Sequence, residues 1–129
     1  PDKIIALGNV KKTLQRFKEL GFTLALVTND SKLPTKAVLE VLKVESLFDF
    51  IGTTDEFPSK PAIDSLKSIS ENYHVAFNEM IYIGDSSIDE EFASHTAGFV
   101  AVVNNEDNDN RLKTAFCKVN SIEELIKEN

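Results

Sequence analysis

Basic residues and long apolar runs are scarce in this chain, and each shortage excludes a class of protein. The 129 residues contain 14 Lys and Arg against 21 Asp and Glu, which gives a formal charge of −7. A negative chain repels phosphate backbones, and no cluster of Lys and Arg interleaved with aromatics offsets this, so we expect no nucleic-acid partner. No apolar run approaches the roughly 20 residues that cross a bilayer, so we expect no membrane partner either.

Cysteine is almost absent. The single Cys117 cannot form a disulfide within the chain, and domains without disulfides are typical of reducing compartments. The first residues, PDKIIALGNV, lack the basic start and long apolar centre of a signal peptide. We therefore expect a cytoplasmic protein. The start at Pro1 fits both a removed initiator Met and a cut within a longer protein, and the sequence leaves both open.

What the chain does contain suits one globular domain over residues 1–129. Hydrophobic residues make up 42% of it and charged residues 27%, close to the globular average. A chain of this length buries roughly two-thirds of its unfolded surface. We find no internal repeat and no linker.

Short apolar runs alternate with amphipathic stretches along the chain. The runs predict strands at residues 22–27, 48–51, 80–83, 99–103 and 115–119. Helices are predicted at residues 9–20, after Pro34, from Pro61, from Ile88 towards Gly98, and at 122–127. The helix after Pro34 is expected to turn Ala37, Val38, Val41 and Leu42 inward. This alternation predicts an α/β three-layer sandwich with a mainly parallel sheet.

Polar side chains stand where three of these segments end or begin. Thr28 and Asn29 follow the first predicted strand, and Lys60 stands at the predicted start of a helix, where the helix dipole would also favour an anion. Asp85 and Asp89 lie four residues apart around a strand-to-helix turn. Ligands of parallel sheets bind beyond the carboxyl ends of the strands. These residues are therefore the candidates for chemistry.

The residue types favour a site for a phosphate and a hard divalent cation. A phosphate charge about 4 Å from a carboxylate is repelled by roughly 4 kcal/mol at an effective dielectric constant near 20. Mg²⁺ prefers one or two carboxylates together with phosphate oxygens and water, so Asp85 could hold the metal while the metal holds the phosphate. Lys60 would cancel further charge, and Thr28 with Asn29 would donate hydrogen bonds.

Each residue taken alone also has an ordinary explanation. Thr28 and Asn29 could form a turn or a helix cap, and Lys60 could be a solvated loop residue. Asp85 and Asp89 could begin a helix through its dipole. The order and spacing of the set favour the site.

This ordered set resembles the haloacid dehalogenase superfamily of phosphohydrolases, in particular its phosphoglycolate phosphatase-like branch. Residues 8–14 and 26–29 resemble the helix and second motif of that family, 60–61 its third motif and 84–89 its fourth. The resemblance covers nearly the whole chain. It implies a HAD-like Rossmannoid core without a cap domain in this chain, Mg²⁺ as the cofactor and a small phosphorylated metabolite as the substrate.

The resemblance also implies a role for each residue. Thr28 and Lys60 would be catalytic, and both would bind the transferring phosphate together with Asn29. Asp85 would bind Mg²⁺, and Asp89 would support the metal shell or Lys60. The family's reaction passes through an aspartyl-phosphate on a first-strand Asp, and a second Asp two residues later acts as acid and base.

That first motif is absent. The Asp-x-Asp at residues 107–109 lies past its predicted strand in a polar loop. If residues 3–7 form the first strand, Gly8 and Val10 stand where the two aspartates belong, and neither can attack phosphorus. Loss of a nucleophile costs on the order of 10⁶ in rate. We therefore predict that this chain alone does not turn over a phosphate ester.

Two explanations stay open. In the first, the chain is the carboxyl-terminal part of a larger phosphatase, whose first strand, nucleophile and cap lie upstream. Alternatively it is a catalytically silent domain that binds phosphate or a protein, with residues 4–7 as its first strand. Without a strand there, an upstream segment or another chain must complete the sheet, because unpaired strand edges are costly. A different phosphate-binding domain is the remaining alternative. A receiver domain of two-component signalling is disfavoured, because its lysine should end a buried strand, whereas Lys60 follows a polar loop.

Overall fold

Helices and strands alternate along the computed structural model, which describes residues 10–102, 115 and 117–119. The helices are α1 (Val10–Glu19), α2 (Lys32–Leu42), α3 (Asp64–Tyr73) and α4 (Ser87–Ala93). The strands are β1 (Ala25–Val27), β2 (Phe50–Gly52), β3 (Ile81–Gly84), β4 (Gly98–Val102) and β5 (Cys117–Val119). Short 3₁₀ turns precede β2 and β3. The predicted helix at 122–127 and the segments 3–7 and 107–109 lie outside the described residues.

The strands form two parallel sheets, β1–β2 and β3–β4–β5. Leu26 lies opposite Ile51 in the first sheet, and Ile83 lies opposite Val100 in the second. Within the described residues β1 and β3 do not pair with each other. The prediction of an α/β fold with parallel strands is confirmed, and no cap domain is evident in the part of the chain that is described.

One core holds the two sheets together. Its buried residues come from α1, α2, the segment after α2, β4 and β5: Val10, Leu14, Leu39, Val44, Val100, Val102 and Val119. Side chains from both sheets pack against this cluster, among them Leu26 of β1 and Ile83 of β3. The carboxyl ends of β1 and β3 are therefore brought to the same region without a direct strand pairing.

The inner face of α2 differs from the predicted one. Thr35 and Leu39 are buried, whereas Val41 is 72% exposed and Ala37 is exposed as well. The prediction that Ala37 and Val41 face inward is therefore wrong. The hydrophobic pattern gave the wrong face because a threonine, Thr35, lies on the buried one. Its hydroxyl donates to the Ser31 carbonyl at 2.8 Å and so avoids the cost of an unpaired polar group.

Asp49 links α1 to the start of β1. Its carboxylate accepts hydrogen bonds from Lys18 Nζ at 2.6 and 2.8 Å and from the Leu24 N–H at 2.9 Å. The hydrogen bond from Lys18, and after it the one from the Leu24 N–H, hold the pKa of Asp49 below its ordinary value.

Asp49→Asn should lower the free energy of unfolding by about 0.5–1 kcal/mol at pH 7, because the pair is partly exposed and screened. A depressed pKa in the folded state stabilises the fold above the unfolded-state pKa, and this contribution is lost as the pH falls through the folded-state pKa. The difference between the two proteins in urea unfolding should therefore shrink below about pH 4. A difference that stays constant from pH 7 to pH 2.5 would contradict this.

None of the helices in the described ranges is long and apolar enough to cross a bilayer.

Candidate functional site

An ion pair stands at the centre of the site. Lys60 Nζ donates to Asp89 Oδ1 at 2.8 Å and to the Tyr82 hydroxyl at 2.7 Å. The two charged side chains are only 11% and 10% exposed. A buried pair of this kind costs desolvation energy, which is offset only when further hydrogen bonds satisfy both partners.

The loop that carries Lys60 is bound to the end of β1. The Lys60 N–H donates to Asn29 Oδ1 at 2.7 Å, and Asn29 Nδ2 donates to the Lys60 carbonyl at 3.3 Å. The peptide bond that follows, to Pro61, is cis. The Asn29 carboxamide therefore fixes the backbone of Lys60, a role that the sequence did not reveal, and its predicted contact with phosphate stays a prediction.

Lys60 does not lie at a helix start. Helix α3 begins at Asp64, four residues later than Lys60, so the prediction that the third motif opens a helix is wrong. Pro61 is favoured in the first turn of a helix, which is why the pattern suggested one. The positive charge at this position comes from the Lys60 side chain itself.

The turn after β3 is built around Asp89. Asp89 Oδ2 accepts from the N–H groups of Asp85 at 3.0 Å and Ser86 at 3.2 Å, and Ser86 Oγ accepts from the Asp89 N–H at 3.1 Å. This reciprocal arrangement is a capping box at the start of α4. Gly84 is required here, because a Cβ at this position would lie 2.5 Å from the Asp89 Cβ.

Asp89 is ionised in this environment. Burial alone would raise its pKa, but the Lys60 ammonium charge and the hydrogen bonds from Lys60, Asp85 and Ser86 together hold the pKa of Asp89 below its ordinary value. The helix-cap explanation and the functional one thus apply to the same carboxylate: one oxygen closes the turn and the other faces the Lys60 ammonium.

Thr28 presents a hydroxyl at the end of β1. Its N–H donates to the Gly52 carbonyl at 3.0 Å and extends the pairing with β2. Its hydroxyl accepts from the Asp30 N–H at 3.0 Å. A hydroxyl both accepts and donates, so this contact leaves the hydroxyl hydrogen to be donated. A phosphate oxygen is an acceptor and requires such a donor.

Hydrogen bonds join four of the five residues predicted from the sequence, and the fifth, Thr28, is the chain neighbour of one of them. Thr28 is followed by Asn29, which binds the Lys60 backbone. The Lys60 ammonium binds Asp89, and Asp89 binds the Asp85 N–H. The structure therefore brings the three segments together at the carboxyl ends of β1 and β3.

Tyr82 is the member of the site that the sequence analysis missed. Its hydroxyl lies in the middle of the set, next to the Lys60 ammonium. Burial raises the pKa of this phenol, and the negative charge of Asp89 raises it further, so Tyr82 is neutral. An aromatic residue within a strand usually belongs to the core, and no sequence signal distinguished this one.

The acidic residues fit Mg²⁺ better than zinc. Among the described residues no group of three or more His, Cys, Asp and Glu side chains could hold a metal ion, which excludes a closed zinc site from this part of the chain. Mg²⁺ requires only one or two carboxylates. Asp89 already accepts from Lys60 on one oxygen and from two N–H groups on the other, and the binding of Mg²⁺ by Asp85 stays a prediction.

The chain is similar in sequence to known proteins. The family model described as haloacid dehalogenase-like hydrolase matches residues 2–103. The phosphoglycolate phosphatase of Vibrio vulnificus is 38% identical over 84 residues, which cover 62% of this chain and 36% of that protein. The phosphoglycolate phosphatase of Mannheimia succiniciproducens is 34% identical over 95 residues, covering 73% of this chain and 42% of the relative.

The same fold occurs in solved structures. The HAD-superfamily hydrolase of subfamily IA from Geobacter sulfurreducens superposes with a TM-score of 0.75 at 22% identity, covering 92% of this chain and 57% of that one. At this identity the likeness concerns the fold alone. The chain spans less than half the length of the two phosphatases above.

Proposed function

Because the chain belongs to the haloacid dehalogenase-like hydrolases, we propose that its site binds a phosphate group together with Mg²⁺ and serves phosphomonoester hydrolysis. The observation that carries this proposal is the position of Lys60, whose ammonium is held between Tyr82 and Asp89 beside the end of β1. The phosphoglycolate phosphatases among the relatives make 2-phosphoglycolate the first substrate to test.

The donors of the site fit a phosphate. An ammonium carries three hydrogens, and Tyr82 and Asp89 accept two of those on Lys60. The third is left for a phosphate oxygen, and the Thr28 hydroxyl would donate to a second one. Asp85 would hold Mg²⁺, which when bound offsets the negative charge of the phosphate. Asp89 acts on the phosphate through Lys60 and through the turn that places Asp85.

Lys60→Met should weaken Mg²⁺-dependent binding of inorganic phosphate by about 10-fold or more, because a charged hydrogen bond to the ligand contributes roughly 1.5–3 kcal/mol. Isothermal titration calorimetry with and without Mg²⁺ measures this. Lys36→Met removes the same charge from the exposed side of α2 and should change the affinity less than 2-fold. Absence of Mg²⁺-dependent phosphate binding by the unaltered chain would overturn the proposal.

The attacking Asp is expected to come from outside these 129 residues, since no apolar strand followed by Asp-x-Asp occurs in the sequence. A segment that supplied it would also have a place in the fold, because β1 and β3 do not pair within the described residues. The proposed function therefore includes an upstream strand between them.

The chain alone should show no hydrolysis of p-nitrophenyl phosphate or 2-phosphoglycolate with Mg²⁺. Fusion to an upstream segment that carries an apolar strand and Asp-x-Asp should restore activity. The alternative, a silent domain that binds phosphate or a protein, predicts no activity in either form. Robust turnover by the chain alone, abolished by Asp85→Ala, would contradict the absence of a nucleophile.

A further inference from the structure

Tyr82 makes two contacts besides the one with Lys60 that the proposed function uses. It is one of two tyrosines in the chain, and its hydroxyl lies 2.7 Å from Lys60 Nζ. The same oxygen is 3.4 Å from the Val27 carbonyl oxygen and 3.4 Å from Asp89 Oδ1. One hydroxyl thus faces the lysine, its counter-ion and the last residue of β1.

The ring of Tyr82 is fixed by packing. It meets the ring of Phe92 edge to face, with centroids 4.9 Å apart and planes at 71°, and Phe92 is fully buried. Lys60 Nζ lies 5.3 Å from the centroid of the Tyr82 ring and 6.0 Å from that of Phe92. The ammonium therefore contacts two rings and a carboxylate, which together favour one position of the Lys60 side chain.

The direction of the hydrogen bonds follows from the groups. An ammonium can only donate, so the Tyr82 oxygen accepts from Lys60, and the single phenolic hydrogen is directed to Val27 or Asp89. The contact with Val27 links β3 to β1, whose last residue precedes Thr28, although the two strands do not pair within the described residues.

We propose that Tyr82 is a positioning residue, whose hydroxyl fixes the Lys60 ammonium relative to Thr28 so that both reach the same phosphate. This inference rests on the proposed function, because it requires that Lys60 and Thr28 share one ligand. Tyr82 itself does not touch the reacting atoms and acts through Lys60.

Tyr82→Phe tests the proposal, since it removes the hydroxyl and keeps the ring. The dissociation constant for inorganic phosphate with Mg²⁺ should rise about 5- to 20-fold, because a misplaced Lys60 ammonium forfeits part of the roughly 1.5–3 kcal/mol that its hydrogen bond to the ligand contributes. The matched control is Tyr73→Phe, because the Tyr73 hydroxyl also donates to a backbone carbonyl, that of Asp49. The control should change the affinity less than 2-fold.

A double-mutant cycle separates positioning from a merely structural role. If Tyr82 acts through Lys60, Tyr82→Phe should have less than a 2-fold effect on phosphate affinity in the Lys60→Met background. Equal effects in both backgrounds would overturn the proposal, as would an unchanged affinity of Tyr82→Phe alone.

Lysine ammonium signals in ¹H–¹⁵N NMR provide a test without phosphate. The shielded Lys60 ammonium should give a signal that is lost or shifted in Tyr82→Phe and unchanged in Tyr73→Phe. An unchanged Lys60 signal in Tyr82→Phe would overturn the positioning role. If the unaltered chain binds no phosphate, the proposed function fails, and with it the claim of a shared ligand, whatever the NMR result.

Discussion

Gly84→Ala should weaken Mg²⁺-dependent phosphate binding at least 100-fold and lower the free energy of unfolding by about 2–4 kcal/mol. The added Cβ would lie 2.5 to 2.6 Å from the Cβ, Cγ and Oδ2 atoms of Asp89, a separation that requires the carboxylate to move. Asp89 cannot move without losing Lys60 on one oxygen and the two turn N–H groups on the other. Calorimetry and urea unfolding measure the two effects.

Gly21→Ala is the matched control for this substitution. Gly21 has a φ of +96°, and among the described residues no atom outside its chain neighbours lies within 4 Å of the Cβ that the alanine would add. The change should therefore cost about 1 kcal/mol of stability through backbone strain and leave phosphate affinity unchanged. Native phosphate affinity in Gly84→Ala would contradict the account of the turn.

Asp89→Asn should lower the free energy of unfolding by about 3–5 kcal/mol, because it leaves the Lys60 ammonium buried without a counter-ion. The amide keeps the shape of the carboxylate, but its NH₂ group cannot accept a hydrogen bond, so either Lys60 or the turn N–H groups lose their acceptor. The much smaller loss expected for Asp49→Asn reflects the greater exposure of the Lys18 pair, 34% and 32%.

Combining Asp89→Asn with Lys60→Met should recover part of this loss, since no unpaired buried charge then remains. Urea unfolding of the two single variants and the double variant measures the coupling. A double variant whose loss equals the sum of the single losses would contradict an energetically coupled pair.

The sequence predicted the strand ends of the site because of how the strands are built. Strands of parallel sheets are often continuous apolar runs, and the polar residues that follow each run are therefore visible in the sequence. In the structure β1 and β3 are exposed at their first residue and half-buried along the rest. Thr28 and Asp85 both follow such runs, at the ends of β1 and β3. The ordering of the motifs then placed Lys60 with them, although it lies in a loop without any periodic signal.

Other features depend on contacts that no local pattern encodes. Tyr82 meets a lysine 22 positions away in the sequence, and Asn29 binds a backbone 31 positions away. The buried face of α2 was misassigned for a related reason, since the burial of Thr35 depends on a hydrogen bond to Ser31 rather than on its hydrophobicity. Hydrophobic periodicity detects only apolar residues, so it cannot show that a polar residue such as Thr35 is buried.

A crystal structure of the chain grown with Mg²⁺ and phosphate tests the central claim most directly. We expect density for a phosphate that accepts hydrogen bonds from the Thr28 hydroxyl and from Lys60 Nζ, with the metal ion on the Asp85 carboxylate. A phosphate found away from both donors, or Thr28 and Lys60 on separate faces of the molecule, would contradict the account.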